Sequence, residues 1–226
     1  MAGDKQSFRA SKAFDLLTAA PLIAWYGLSV GSIAIRCARL LTNSPAQLGA
    51  HTKLEIASQL AAGAFLGVQL LLFLFRRTPF AKAPGVLPRI TGFVGAGLIF
   101  ALLALPRVPL ASQWSALSLG VVFIASLASI ASAVTLGRAF SVLPQARLFV
   151  TSGPYKIVRH PLYLSEQIGN FALAMQFKQP WAILIALASL AAQFPRMRYE
   201  EQILRATFPE FEAYAARTWR LLPGLY

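Results

Sequence analysis

The strongest constraint on this chain is a set of long stretches that carry no charge. Residues 16–35, 56–75 and 108–137 contain no Asp, Glu, Lys or Arg, and residues 90–105 form a shorter stretch of the same kind. A helix crossing a bilayer core of about 30 Å needs about 20 apolar residues, and its own hydrogen bonds must satisfy its backbone. Three stretches are long enough as they stand. The third in chain order reaches the required length if it begins near Leu87 and stops at Pro106. Only 13% of the residues are charged, against about 25% in a soluble domain. The expected fold class is therefore an all-α integral membrane protein with four transmembrane helices in residues 1–137.

A second region, residues 138–226, differs in character. Two further apolar stretches, 167–177 and 179–195, flank Lys178-Gln179-Pro180. They read as a helical hairpin over 162–195, its first arm opening at Pro161 or Leu162, since proline suits the first turn of a helix. Whether the hairpin crosses the membrane or re-enters is open at this level. An Arg/Glu-rich tail follows.

The net charge of +13 would suggest nucleic acid in a soluble protein. Here no zinc-finger spacing or basic helix with interleaved aromatics is present, so nucleic acid is set aside. The basic residues instead report orientation. With the N-terminus in the cytoplasm, sixteen of the 21 Lys and Arg fall on the inner side. Arg36, Arg39, Lys53, Arg107 and Lys178 fall outside. This puts the segment around Arg159, the tail and both termini on the cytoplasmic face, and the alanine-rich chain suits a bacterial inner membrane. The first apolar stretch exceeds the 7–15 residues of a signal-peptide core and reads as a retained anchor helix.

Chemically versatile residues are scarce. The single cysteine, Cys37, excludes a disulfide framework, and two distant histidines, His51 and His160, make no metal site. Gly92, Gly95 and Gly97 lie in an apolar stretch with no strand before them, so they read as helix-packing positions, not a nucleotide loop. Asp15 and Glu55 sit at span edges; Glu166 lies just beyond His160; Glu200, Glu201, Glu210 and Glu212 are in the tail. No Ser–His–Asp set is apparent.

Two segments combine the remaining polar chemistry. In GPYKIVRHPLYL, residues 153–164, Gly-Pro signals a turn, and Pro161 biases His160 toward extended angles. The backbone is held out of helix at Arg159–His160, leaving donors and acceptors available. In RMRYEEQILRATF, residues 196–208, apolar residues recur at helical spacing. Glu201 and Arg205 stand four apart in the favourable order. The segment reads as an amphipathic helix at the membrane surface.

These two segments, in this order across a hairpin, resemble the isoprenylcysteine carboxyl methyltransferases, a family within a superfamily that includes the phospholipid N-methyltransferases. The resemblance covers residues 136–223, including EEQILRATFPEFEAYAARTWRLLP. It implies an integral membrane transferase that uses S-adenosylmethionine, with both segments enclosing the cofactor on the cytoplasmic face. The matching positions are Arg159, His160, Pro161 and Tyr163, then Glu200 and Glu201, with Phe208, Tyr214 and Pro223 trailing. The chain departs from the family pattern at Ser165 and Pro209, where glycine is frequent.

On this reading His160, Pro161, Tyr163, Glu200 and Glu201 bind the cofactor. Arg159 and Arg198 are the candidates to orient a carboxylate acceptor, since a guanidinium holds a carboxylate through paired bonds. An amine acceptor would instead hand its proton to Glu166 or Glu201. The expected acceptor is a lipid-like or prenylated small molecule or peptide. Two alternatives stand beside this: an NADPH-dependent sterol-type reductase, although such proteins usually have asparagine where Leu162 stands, and a non-enzymatic lipid-binding membrane protein.

Overall fold

The apolar stretches form helices, as their composition requires. The structure, a computed structural model, describes residues 12–43 and 49–226; Asp4, Lys5 and Arg9 lie outside the described residues. Helix α1 is Lys12–Asn43, α2 Ala50–Phe75, α3 Leu87–Gly97, and α4 Ser112–Leu136. Segments Ala19–Thr42, Ala50–Phe75, Leu87–Ala104 and Ser112–Ala139 are long and apolar enough to cross a membrane. Arg36 and Arg39, which follow the first uncharged stretch, lie on the last turns of α1. Arginine stems reach from such positions to the headgroups.

The marginal third span reaches its length by a change of winding. After 11 α-helical residues it continues as a 3₁₀ segment of 7 residues, Leu98–Ala104. A 3₁₀ turn rises about 2.0 Å per residue against about 1.5 Å in an α-helix. The span therefore reaches about 30 Å, the thickness of the hydrocarbon core. Two of its three glycines do pack closely. A Cβ on Gly92 would lie 3.0 Å from the Val142 carbonyl oxygen, and one on Gly95 would lie 3.1 Å from Arg196 Cδ. Gly97 has open space around it. A Gly92→Val substitution should destabilise the solubilised protein by about 1–3 kcal/mol through overpacking. A Gly97→Ala substitution should leave its thermal unfolding nearly unchanged.

The hairpin consists of α5, Pro161–Ala174, and α6, Trp181–Thr207. Helix α6 continues through Pro195, so the second arm and the tail helix, expected as separate pieces, are one helix of 27 residues. It is held to α3 where Gln193 Nε2 donates to the Gly95 carbonyl at 3.0 Å.

The hairpin tip reaches the connection between the third and fourth spans. Lys178 N donates to the Pro106 carbonyl, and Val108 N to that of Gln176. At 14 residues, α5 is about 21 Å long. Serines fix the antiparallel register of α5 on α4: Ser129 Oγ meets Ser165 Oγ at 2.8 Å, and Ser118 Oγ donates to the Ala172 carbonyl at 2.7 Å. Small hydroxyl residues allow this close approach in lipid, each hydrogen bond contributing roughly 0.6–2 kcal/mol.

At the motif end of the bundle, Tyr26, Phe73 and Phe140 form an aromatic core with Leu162. Above it, β1, Ala81–Lys82, pairs antiparallel with β2, Gln145–Ala146. This ribbon ties the connection between spans two and three to the segment that leads into the Arg-His-Pro motif. A short helix α7, Phe211–Ala215, completes the tail.

Candidate functional site

The Arg-His-Pro segment is not left with open backbone groups. It pairs with the tail: Arg159 N donates to the Trp219 carbonyl at 2.8 Å, His160 N to that of Arg220 at 3.1 Å, and Trp219 N to that of Ile157 at 3.1 Å. Val158 and Trp219 thereby form a parallel bridge. The expectation that these donors remain available is corrected accordingly: buried amides seek partners, and the tail supplies them. His160 has φ −126° and ψ 55°, extended in φ only. Its ψ turns inward so that its carbonyl can accept the first helical bond, from Leu164 N at 3.1 Å.

The two adjacent acids divide into different environments. Glu201 is 3% exposed and surrounded by positive groups. Its Oε1 accepts Arg159 Nε at 2.9 Å, Arg220 Nε at 3.0 Å and His160 Nε2 at 3.2 Å, while Oε2 accepts Arg220 Nη2 at 2.8 Å. Burial alone would raise the Glu201 carboxyl pKa, but hydrogen bonds from His160, Arg220 and Arg159 overcome it and hold the group well below the usual carboxylate range. In return the Arg220 guanidinium is held more firmly charged. The expected Glu201–Arg205 pair does not form, because Arg159, Arg220 and His160 claim Glu201. Arg205 pairs with Glu212 and lies over the Phe211 ring.

Glu200 faces a cleft of about 740 Å³ including its mouth. Its Oε1 accepts the Tyr163 hydroxyl. His160 stacks on Tyr163 with ring centroids 5.3 Å apart and planes within 8°, and the Arg196 guanidinium lies 4.3 Å from the Tyr163 ring centre. Arg196 Nε is in ion-pair range of Glu200 at 3.5 Å but is hydrogen-bonded to nothing among the described residues. Phe149, Tyr155 and Tyr214 add aromatic surface to the cleft. Tyr214 is fixed by its hydroxyl, which donates to the Tyr155 carbonyl at 2.7 Å. Burial pushes that hydroxyl's pKa up to about 12, so it stays protonated as a donor at neutral pH.

Of the residues expected at the site, Arg159, His160, Tyr163 and Glu200 line this cleft. Pro161 starts α5 beside them and is buried. Glu201 lies behind, tying Arg159 and His160 to the tail. Arg159 spends Nε on Glu201 and Nη1 on the Ala215 and Thr218 carbonyls. Arg198 is exposed and does not line the cleft; the arginine beside Tyr163 is Arg196, two positions away on the inner face of α6. Sequence reasoning counted Arg196 and Arg220 only as inner-side charge. The available signal was scarcity: with 8 acids for 21 bases, a tail acid that is buried must serve several cations.

Comparison with known proteins places residues 114–210 in a match to the phospholipid methyltransferase family. The chain is also 33% identical over 99 residues to the cobalt-zinc-cadmium resistance protein CzcN of Cupriavidus metallidurans, covering 42% of this chain and 46% of that protein. It is 38% identical over 97 residues to the nickel-cobalt-cadmium resistance protein NccN of Alcaligenes xylosoxydans xylosoxydans, covering 40% and 45%. The matched region thus spans less than half the length of either relative.

Proposed function

We propose, from the premise that residues 114–210 form a phospholipid methyltransferase-family domain set among membrane-spanning helices, that this protein is an S-adenosylmethionine-dependent methyltransferase of a lipid-like or prenylated acceptor. The observation that carries the reading is the cleft joining the Arg-His-Pro segment to the tail. At one place it offers a carboxylate, Glu200, backed by His160 and Tyr163, and at another the aromatic surfaces of Phe149, Tyr155 and Tyr214. A cofactor with a cationic amino-acid end and a flat purine fits this donor set: the acid suits the ammonium, and the rings suit the base.

When bound, the cofactor supplies an activated methyl group on a sulfonium. The residues of the chain then have to align and dehydrate, not activate. Glu201, Arg159 and Arg220 hold the tail down on the motif and so fix the cleft wall. His160 and Tyr163 hold Glu200 in place. The charge distribution supports a cytoplasmic placement of this end of the bundle.

Isothermal titration of S-adenosylmethionine into the detergent-solubilised protein tests the proposal. Saturable binding is expected, with a loss of affinity of at least about tenfold in His160→Ala. A folded wild-type protein that binds no S-adenosylmethionine would overturn it. Binding of NADPH instead would favour the reductase alternative.

A further inference from the structure

The arginines of the motif and the tail have counter-charges. Arg159 and Arg220 pair with Glu201, Arg196 with Glu200 and Arg205 with Glu212. Arg77 and Arg138 differ. They make no ion pair among the described residues, and both are exposed. They stand at the ends of two neighbouring helices. Arg77 follows α2, Arg138 follows α4, and the candidate spans Ala50–Phe75 and Ser112–Ala139 stop there.

The two residues are locked together. Gly137 ends α4 with φ +49°, a turn that glycine takes without strain, and the chain comes back against α2. Arg77 N donates to the Arg138 carbonyl at 3.1 Å. Arg138 Nε donates to the Phe75 carbonyl at 3.3 Å, covering one of the carbonyls that the end of a helix leaves without an internal partner. Arg147 Nη1 in turn donates to the Arg77 carbonyl. Arg76 is buried instead, its guanidinium 5.0 Å from the Phe73 ring centre. Two exposed guanidiniums are thus carried on adjacent, fixed backbone where a span ends. Like charges so placed repel unless an anion lies between them. Phe75 and Phe80, both exposed, flank Arg77 in the chain.

We propose that Arg77 and Arg138 form a headgroup site for a phospholipid of net negative charge, its phosphate bridging the two guanidiniums. Guanidiniums hold phosphate through paired, charge-assisted hydrogen bonds, and basic pockets between membrane helices take lipid heads in this way. The exposed Leu71 and Leu74 of α2 and Val134 of α4 offer apolar surface to the acyl chains. A zwitterionic head suits the site less, because its ammonium adds a further cation with no acid to meet it. Depth selects a lipid over free phosphate, since the headgroups of a bilayer lie where the spans end. The site belongs to the spans and does not depend on what the cleft binds. Its occupant nevertheless acts on the cleft. Arg138 opens the segment from which Ala139, Ser141, Gln145 and Phe149 line it, so a phosphate held across Arg77 and Arg138 ties that wall to α2.

Native mass spectrometry of the detergent-solubilised protein, titrated separately with phosphatidylglycerol and phosphatidylcholine, reads the site. Phosphatidylglycerol should bind at least about tenfold more tightly. Arg77→Gln combined with Arg138→Gln should abolish that preference. Arg89→Gln combined with Arg217→Gln removes the same charge from two other exposed arginines and should leave it within about twofold. Arg77→Gln alone keeps the main-chain bonds to Arg138 and Arg147, and provides the test if the double variant does not fold; it should weaken phosphatidylglycerol by about fivefold. An excess of inorganic phosphate should not displace the lipid. Bound phosphatidylglycerol should also slow amide hydrogen exchange over residues 138–150. Equal binding of the two lipids, an equal loss in the Arg89 and Arg217 variant, or displacement by inorganic phosphate would overturn the lipid site. Exchange unchanged by bound lipid would overturn its hold on the cleft wall.

Discussion

Replacing Glu201 with alanine is expected to release the tail from the Arg-His-Pro segment and to destabilise the protein by up to about 3 kcal/mol, the lower end of the cost of breaking a buried ion pair, since Arg159 and Arg220 are partly exposed. Glu201 receives four hydrogen bonds from three cationic or ionisable side chains, and its side chain is only 4% exposed. Without it Arg159 and Arg220 face each other beside His160. The expected readouts are a large fall in thermal midpoint and rapid tryptic cleavage at Arg217 and Arg220. A midpoint within a degree or two of wild type would show that the tail is held by its backbone bridge alone. The pH dependence follows from the same group. The native pKa of Glu201 lies below its unfolded value, so the unfolded state binds the proton first as pH falls. The clamp contributes fully above pH about 4.5 and is lost as pH drops toward the lowered native value. The solubilised protein should therefore keep the tail protected from protease at pH 5.

Glu200→Gln is expected to cost less stability than Glu201→Ala, although it takes the counter-charge from buried Arg196, and to lower S-adenosylmethionine affinity by about 10- to 100-fold, the range for removing a hydrogen bond to a charged partner, about 1.5–3 kcal/mol. The substitution keeps the side-chain shape and a carbonyl oxygen able to accept the Tyr163 hydroxyl. It removes the charge that would meet a cationic group in the cleft. Titration calorimetry reads the affinity and a melting curve reads the stability. Equal affinity for the cofactor in wild type and Glu200→Gln would exclude Glu200 from its binding site. The pair of variants thus separates two neighbouring acids that are chemically identical in the sequence. Nothing in Glu200-Glu201 says which one turns inward; that depends on where Arg159 and Arg220 converge.

What could be read ahead of the structure were properties set by local chemistry. Spans follow from the requirement that lipid-facing backbone bond to itself, so four helices were legible from uncharged length alone. The break at Arg159–His160 followed from Pro161, whose ring restricts the preceding residue. That the Arg-His-Pro motif and the Glu-Glu segment fold together was legible through their resemblance to a known family.

Properties that depend on distant partners were not legible. The sequence shows Glu201 four residues before Arg205, and local rules pair them; the fold brings Arg159, His160 and Arg220 closer, and these less exposed partners compete more strongly than the exposed Arg205. Helical spacing on α6 could not tell Arg196 from Arg198, because only the position of α3 and Tyr163 defines which face is inner. The meeting of Gln69 and Glu166 across 97 positions left no trace in composition or periodicity. By itself the sequence determined that this chain has four helices able to span a membrane, where those four lie and that the backbone is interrupted before Pro161, because hydropathy and proline act locally. The tertiary structure alone decided which acid anchors the tail, which faces the cleft and which is left inside the bundle, because the environment of a charge is set by groups that only folding brings near it.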